Sequence, residues 1–189
     1  KIILIVICFF SLLTINPNLY AEEFNISATE ISIDKKNDIL VGKGSVKITD
    51  KEGKLITTDK VTYEKSKEFL IAEGSVKILD NEGNILKTDK ATYDKIKNII
   101  ITYGNSEFTI KEGYKLTSNN ILYDTEKKII SSNENSTLTD SDGNIVTVSM
   151  FQYDIEKNLF SSMGKIKIVD VNKNKYYFKE LYVDTKKKE

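Results

Sequence analysis

A repeat of thirty residues constrains this chain more than any other feature, because every copy must fold in the same way. The sequence Gly-Ser-Val-Lys-Ile occurs at residues 44–48 and again at 74–78. Five units follow one another from Asp34 to Asp184 without an insertion. The same step relates four tyrosines, each followed by an acidic residue: Tyr63, Tyr93, Tyr123 and Tyr153. Units of equal length predict a stack in which each unit pairs with its predecessor in the same way.

Each unit is predicted to form two β-strands. In the second unit, apolar and polar residues alternate around Gly74, and this period of two indicates a strand with one buried face. A turn follows at residues 81–83 and ends in Gly83, since glycine readily adopts the positive φ of hairpin turns. The second strand then runs from Ile85 to Tyr93. No segment after residue 21 shows sustained helical periodicity.

The predicted fold is therefore all-β, an open and twisted two-sheet jellyroll of about ten strands. Glycine weakens the interior of a strand and usually marks a bend or a bulge. It recurs in mid-strand at the same step, which predicts a kink at the same height in successive units: Gly44, Gly74, Gly104 and Gly164. The residues just before the kink, such as Ile39 to Val41, are apolar on both faces. We expect these segments to be covered on both sides.

The inward series also contains a line of small residues: Gly42, Ala72, Thr102, Ser132 and Ser162. Flanked by large apolar side chains, they could leave an elongated groove between the sheets. The alternative is simple taper, in which small side chains let the two sheets approach. The candidates for the lining of such a groove are the inward apolar residues: Leu70, Ala72, Val76, Ile78, Ile100, Phe108, Leu138, Ile166 and Ile168.

The first 21 residues differ in composition from the rest and are typical of a secretory signal peptide. Lys1 precedes the apolar run Ile2 to Leu13, and a polar stretch leads to Ala21. This run is shorter than a bilayer span requires. We predict a signal peptide over residues 1–21 and a repeat domain over 22–189 that continues beyond Glu189. An uncleaved membrane anchor is the alternative.

Composition excludes several functional classes. The formal net charge is zero and no arginine is present, whereas duplex-binding proteins are usually strongly basic, so we expect no nucleic-acid partner. There is no histidine, and the one cysteine, Cys8, lies in the leader. We therefore predict no enzyme activity, no cofactor and no Cys/His metal site. Recurrent aspartates such as Asp80 fall at the start of turns, where they commonly bond their own backbone rather than calcium. The tyrosine series is expected to lie in the core.

The order of these elements resembles the OstA-like repeat of the lipopolysaccharide-transport proteins. The pattern runs from Gly74-Ser75-Val76 through Thr88-Asp89 to Tyr93-Asp94, and the resemblance covers residues 30–185. The third and fourth units depart most: Ser106 and Ser136 stand where other units have valine or isoleucine, and Glu134 stands where they have glycine. That family includes LptA, the periplasmic part of LptC and the N-terminal domain of LptD.

The resemblance implies a periplasmic protein of Gram-negative outer-membrane biogenesis, an open β-jellyroll that shields the acyl chains of lipopolysaccharide. It also implies docking to other such domains by edge-strand addition. Because the sequence stops at Glu189, soon after a sixth unit opens at Asp184, we favour the N-terminal domain of an LptD-like protein. Attachment to the outer membrane follows if an LptD-like barrel comes after it. A free-standing LptA-like bridge protein and a structural or adhesive repeat without ligand are the alternatives.

Overall fold

The computed structural model describes residues 24–111 and 113–187. The predicted signal peptide lies outside these residues. In the described part, fifteen strands and one 3-10 turn at Lys65–Lys67 make up the regular structure, and no helix there is long and apolar enough to cross a membrane. The strands are β1 (Phe24–Ser27), β2 (Glu30–Asp34), β3 (Ile39–Asp50), β4 (Leu55–Glu64), β5 (Phe69–Leu79), β6 (Ile85–Asp94), β7 (Ile99–Thr109), β8 (Lys115–Asn119), β9 (Leu122–Asp124), β10 (Ile129–Ser132), β11 (Ser136–Thr139), β12 (Ile145–Val148), β13 (Phe151–Asp154), β14 (Leu159–Val169) and β15 (Lys175–Asp184).

The long strands bend where the repeated glycines lie, as the sequence predicts. Gly74 has a φ of +81°, and the pairing of β5 with β6 shifts register between Glu73 and Val76. The same shift interrupts the pairing of β3 with β4 and of β14 with β15. Each bent strand therefore contributes one half to each of two layers. We call them the tyrosine layer, whose strand halves carry Tyr63 and Tyr93, and the glycine-turn layer, whose hairpin turns contain Gly53 and Gly83.

The two layers are joined at both ends of the second half of the molecule. From β7 one course of strands runs through β8, β11 and β12, and the other runs through β9, β10 and β13. Both courses reach β14, so that these strands close into a ring. All pairings are antiparallel. The all-β, two-layer jellyroll predicted from the repeat is confirmed, although its second half is closed rather than open.

The core lies between the two layers. The Phe108 ring of the glycine-turn layer meets the Tyr123 ring of the tyrosine layer edge to face, with 6.1 Å between centroids. Phe24 of β1 makes similar contacts with Tyr63 at 5.1 Å and Tyr93 at 5.7 Å. The tyrosine series is buried, with Tyr153 fully inaccessible to solvent, which confirms its assignment to the core.

The fifteen observed strands exceed the expected ten because β1 and β2 precede the first unit, and because three strands of the third and fourth units are each divided in two. The break between β10 and β11 falls around Glu134, which replaces the glycine found in the other units. A residue with a Cβ rarely adopts the positive φ that the kink needs, and Glu134 is not among the residues with positive φ. The bulge is lost there, and the strand divides.

The strand segments of the tyrosine layer just before the kinks were expected to be covered on both sides, but the structure covers only their inner side fully. Ile39, Phe69 and Ile99 point outward and are only half-buried. Alternation explains which face they occupy, because Leu40, Leu70 and Ile100 take the inner positions. The outer side of this layer thus remains partly open to solvent.

The recurrent aspartates organise the turns of the glycine-turn layer. One carboxylate oxygen of Asp80 accepts the backbone N–H groups of Glu82 and Asn84, both at 2.9 Å, and the other accepts the Asn84 side-chain amide at 2.9 Å. Asp140 and Asp170 repeat this arrangement. The predicted local bonding of these aspartates is confirmed.

Candidate functional site

All nine groove candidates lie on the inner faces of the two layers. Leu70, Ala72 and Ile100 belong to the tyrosine layer, and the other six belong to the glycine-turn layer. Eight of the nine are at most 3% exposed, and Ile168 is half-buried. Alternation therefore places them between the layers, where most of them pack against one another instead of lining an open trough. Whether they contact lipid stays a prediction.

The line of small residues marks where the two layers meet. The Ser106 hydroxyl donates to the Thr102 hydroxyl at 2.7 Å, and Ser118 donates to Ser132 at 2.8 Å. A Cβ placed on Gly42 would come within 3.1 Å of Val61 Cγ1. Small side chains thus allow close approach at this junction, which favours the taper interpretation over a groove along this line.

At the opposite edge, which we call the rim, turns of the two layers are bridged by polar side chains. The Lys95 ammonium lies 2.5 Å from Glu52, and the Lys54 ammonium donates to the Tyr93 hydroxyl at 3.1 Å. Further along, the Tyr123 hydroxyl lies 3.4 Å from Asp80. Lys128 pairs with Glu82. A cavity of about 250 Å³ lies among these groups. The rim of the first units is therefore closed by charged and hydroxyl groups.

At the rim, burial and neighbouring polar groups shift the pKa values of Lys54, Lys95 and Asp50 in opposite directions. Burial lowers the pKa of Lys54, but the Tyr93 hydroxyl and the Asp50 carboxylate outweigh it, and the pKa is raised. The pKa of Lys95 is raised in the same way, mainly by Glu52 against the effect of burial. Burial also opposes the charge of Asp50, yet its hydrogen bond from Lys54 holds the pKa below the ordinary value. For Tyr123, burial and the Asp80 charge both raise the pKa. These ammonium groups thus stay charged at neutral pH.

The C-terminal part of the interior is more open. A cavity of about 370 Å³ lies between the layers there, within the roughly 300–1,000 Å³ typical of ligand pockets. Its apolar lining comes from Leu138, Val146, Ile168 and Val183, with Tyr114 and Tyr176 beside them. It is also lined by carboxylates: Asp140, Asp142 and Asp170. Of the nine candidates, the structure brings Leu138 and Ile168 to this cavity.

Both ends of the stack leave inward side chains uncovered. On the last strand, β15, Tyr176 and Phe178 pair with Ile168 and Ile166, yet they are 45% and 46% exposed. On β2, Ile31 and Ile33 face Gly42 and Leu40 and are 47% and 57% exposed. The candidate set missed these residues. The thirty-residue step could have found Tyr176 and Phe178, because they extend the columns of Val146 and Val148.

Across residues 24–111 and 113–187, no group of three or more His, Cys, Asp or Glu side chains is placed to hold a metal ion. Most aspartates near the turns are occupied with their own backbone, as Asp140 is. What the arrangement does provide is an apolar interior with one accessible end and two uncapped edges.

No protein-family model and no curated protein matches the chain. Among solved structures, it is similar to LptH of Pseudomonas aeruginosa, described as the LptA-homologous periplasmic component of the conserved lipopolysaccharide-transport device. The identity is 21% and the TM-score 0.51, over 57% of this chain and 79% of that one.

Two structures of the TCP10 domain of Danio rerio CPAP also match, with and without a peptide of STIL. Each is 12% identical with a TM-score of 0.17. They cover 82% and 79% of this chain and 99% of their own. A TM-score of 0.17 says nothing about the fold. The likeness to LptH is informative, and together with the observed strand pairings it shows that this chain has the LptA-like β-jellyroll fold.

Proposed function

We propose that this protein is a non-enzymatic bridge module of lipopolysaccharide transport in the periplasm. In this role the interior shields acyl chains of the lipid, and the uncapped ends dock onto other jellyroll domains by edge-strand addition. As the finer proposal, we infer the N-terminal domain of an LptD-like protein, attached to the outer membrane. A free-standing LptA-like protein is the alternative within the same class.

The uncovered C-terminal end is the observation that carries this proposal. Among the described residues, β15 pairs only with β14. Its inward Tyr176 and Phe178 are almost half exposed, and its other backbone edge can pair with a further strand. A following jellyroll would cover both side chains and continue both layers.

The cavity at this end supports a role in carrying lipid. Each methylene left in water costs about 0.8 kcal/mol, so an acyl chain needs an apolar lining along its whole course. Leu138, Val146 and Ile168 supply such a lining at the end of the stack. Asp140 and Asp142 lie close by and disfavour phosphate groups, so we assign only the acyl part of the lipid to the cavity. Passage through the earlier units requires the bridged rim to part.

Site-specific photo-cross-linking tests the proposal. A photoreactive residue at Leu138 or Ile168 should capture lipopolysaccharide, and one at Phe108 should do so if chains travel through the stack. Thr117 of β8 points outward and serves as the matched control. Lack of capture at every inward position would refute lipid carriage.

The closed rim and packed interior favour one other candidate, a structural repeat without ligand. Eight of the nine groove candidates are almost fully buried, as the core of a simple spacer would be. This candidate predicts no lipid adduct at any inward position, yet it still predicts docking at β15. Cross-linking the lipid at Ile168 and a neighbouring domain at Phe178 therefore distinguishes the two roles.

A further inference from the structure

A second surface, separate from the interior, lies on the outer side of the glycine-turn layer at its C-terminal end. Ile166 and Ile168 point inward, so Lys165 and Lys167 point outward. On the neighbouring strand β15, Tyr177 lies directly opposite Lys167, and Lys175 lies opposite Val169. We call the surface formed by Lys165, Lys167, Lys175 and Tyr177 the basic face.

The charges of the basic face are not neutralised by neighbouring carboxylates. Among the residues that the structure describes, no acidic side chain lies within 4 Å of the ammonium groups of Lys165, Lys167 or Lys175. In the middle of the same layer, by contrast, Glu107 pairs with both Lys87 and Lys115. Because the formal charge of the whole chain is zero, the basic face is a local separation of charge.

Beside the basic face lies a depression of about 390 Å³, which Lys165, Lys167 and Tyr177 line together with the inward residues Val148, Ile166 and Phe178. Tyr177 is 71% exposed, the highest value among the large apolar side chains of the described residues. Hydration of an exposed aromatic ring is unfavourable, and a partner that covered the ring would remove this cost.

We propose that the basic face binds the anionic head groups of a phospholipid bilayer. Strands rise about 3.3 Å per residue and lie about 4.8 Å apart, and Lys175 is paired with Val169, so Lys167 lies within about one Debye length of both Lys165 and Lys175. Each lysine near an anionic membrane strengthens binding on the order of fivefold. Tyrosine favours the membrane interface, where its ring is apolar and its hydroxyl is hydrated. A sheet presents these groups on one side, as a flat bilayer requires.

The chain has no tryptophan, so a single introduced tryptophan reports on its own surroundings. Tyr177→Trp places the reporter on the basic face. Tyr103→Trp, at a tyrosine that is 44% exposed on the outer side of the tyrosine layer, is the matched control. With vesicles of phosphatidylcholine and one third phosphatidylglycerol, we expect a blue shift at position 177 and none at position 103. Equal shifts at both positions, or none at position 177, would overturn the proposal.

Charge removal provides the second arm, measured by vesicle co-sedimentation of the full chain. The triple variant Lys165→Gln, Lys167→Gln and Lys175→Gln should weaken binding to the anionic vesicles on the order of a hundredfold. The control variant removes three outward lysines from the other end of the same layer: Lys47→Gln, Lys77→Gln and Lys87→Gln. An equal loss in the control would show that overall charge governs binding, and the basic face would not be the site.

Two further comparisons exclude other sources of binding. Neutral phosphatidylcholine vesicles measure any attachment through the apolar residues 2–13, which does not depend on Lys165 or Lys167. Soluble polyglutamate tests for an acidic protein partner. If polyglutamate, rather than the anionic vesicles, shifts the emission at position 177, the membrane proposal is wrong. None of these outcomes depends on whether lipid enters the interior.

Discussion

The Lys95 ammonium lies 2.5 Å from the Glu52 carboxylate, and the two residues belong to opposite layers of the jellyroll. Lys95 is almost fully buried, whereas Glu52 is more than half exposed. A contact between turns 43 positions apart fixes how widely the layers are spaced at the rim. The strength of this pair therefore bears directly on how readily the interior can open.

A double-mutant cycle measures that strength. Glu52→Gln and Lys95→Met each remove one charge with little change of side-chain length, and the double variant removes both. We expect a coupling free energy of about 0.5–1 kcal/mol in urea unfolding, because one partner is solvated. High salt should reduce the coupling. Additive effects of the two single changes would show that the pair does not hold the layers together.

The packed interior leads to a second prediction. Phe108 is 1% exposed and meets Tyr123 across the layers, so Phe108→Ala should destabilise the fold by about 3–5 kcal/mol. Ile33→Ala on β2 is the matched control, since Ile33 is 57% exposed and should change stability by no more than about 0.5 kcal/mol. Urea unfolding measures both. A small effect at Phe108 would mean that the interior is loosely packed and open to a guest.

The fold was predictable because its main determinants are local and repeated. Alternation placed Leu70, Val76 and Ile78 on an inner face, and the spacing of glycines placed the kinks. The rim was not predictable in this way. Glu82 is the thirty-residue equivalent of Glu52, but the equivalent of Lys95 is Thr125, and Glu82 pairs with Lys128 instead.

The filling of the interior also lay beyond the sequence pattern. A column of apolar residues indicates which side chains point inward, but not whether facing columns touch or leave space between them. That depends on how far the layers are separated, which the rim pairs and the small residues near Thr102 determine together. The open C-terminal cavity follows from a different cause, because β15 has no described strand beyond it.

Two glycines share one backbone conformation but differ in their surroundings, so substituting each one separates the cost of backbone strain from the cost of a steric clash. Gly74 and Gly104 both have φ near +81°, but a Cβ on Gly74 would lie 2.5 Å from an Asp59 carboxylate oxygen, whereas one on Gly104 meets nothing within 4 Å. Gly104→Ala should therefore cost about 1–2 kcal/mol from the left-handed conformation alone. Gly74→Ala should cost more, as measured by urea unfolding. Equal costs would show that Asp59 moves aside freely.

The Asp50–Lys54 pair predicts a specific dependence of stability on pH. The Lys54 ammonium lies 2.9 Å from Asp50, and the net effect of its environment is a lowered pKa for Asp50. A carboxyl whose pKa is lower in the folded state stabilises the fold above its unfolded pKa, and this contribution is lost as the pH falls through the folded value. Asp50→Asn should therefore cost about 2 kcal/mol at neutral pH.

The difference in the free energy of unfolding between the wild type and Asp50→Asn should shrink as the pH falls below about 4. Comparing the two proteins at each pH removes the contributions of carboxyls that they share, such as Asp94. The same substitution at Asp80 is the matched control, because Asp80 accepts from the neutral Asn84 side chain where Asp50 accepts from the charged Lys54. A difference that stays constant from neutral to acidic pH would mean that the Asp50 charge contributes nothing. Its role would then be the one that Asp80 also performs, accepting hydrogen bonds from the turn.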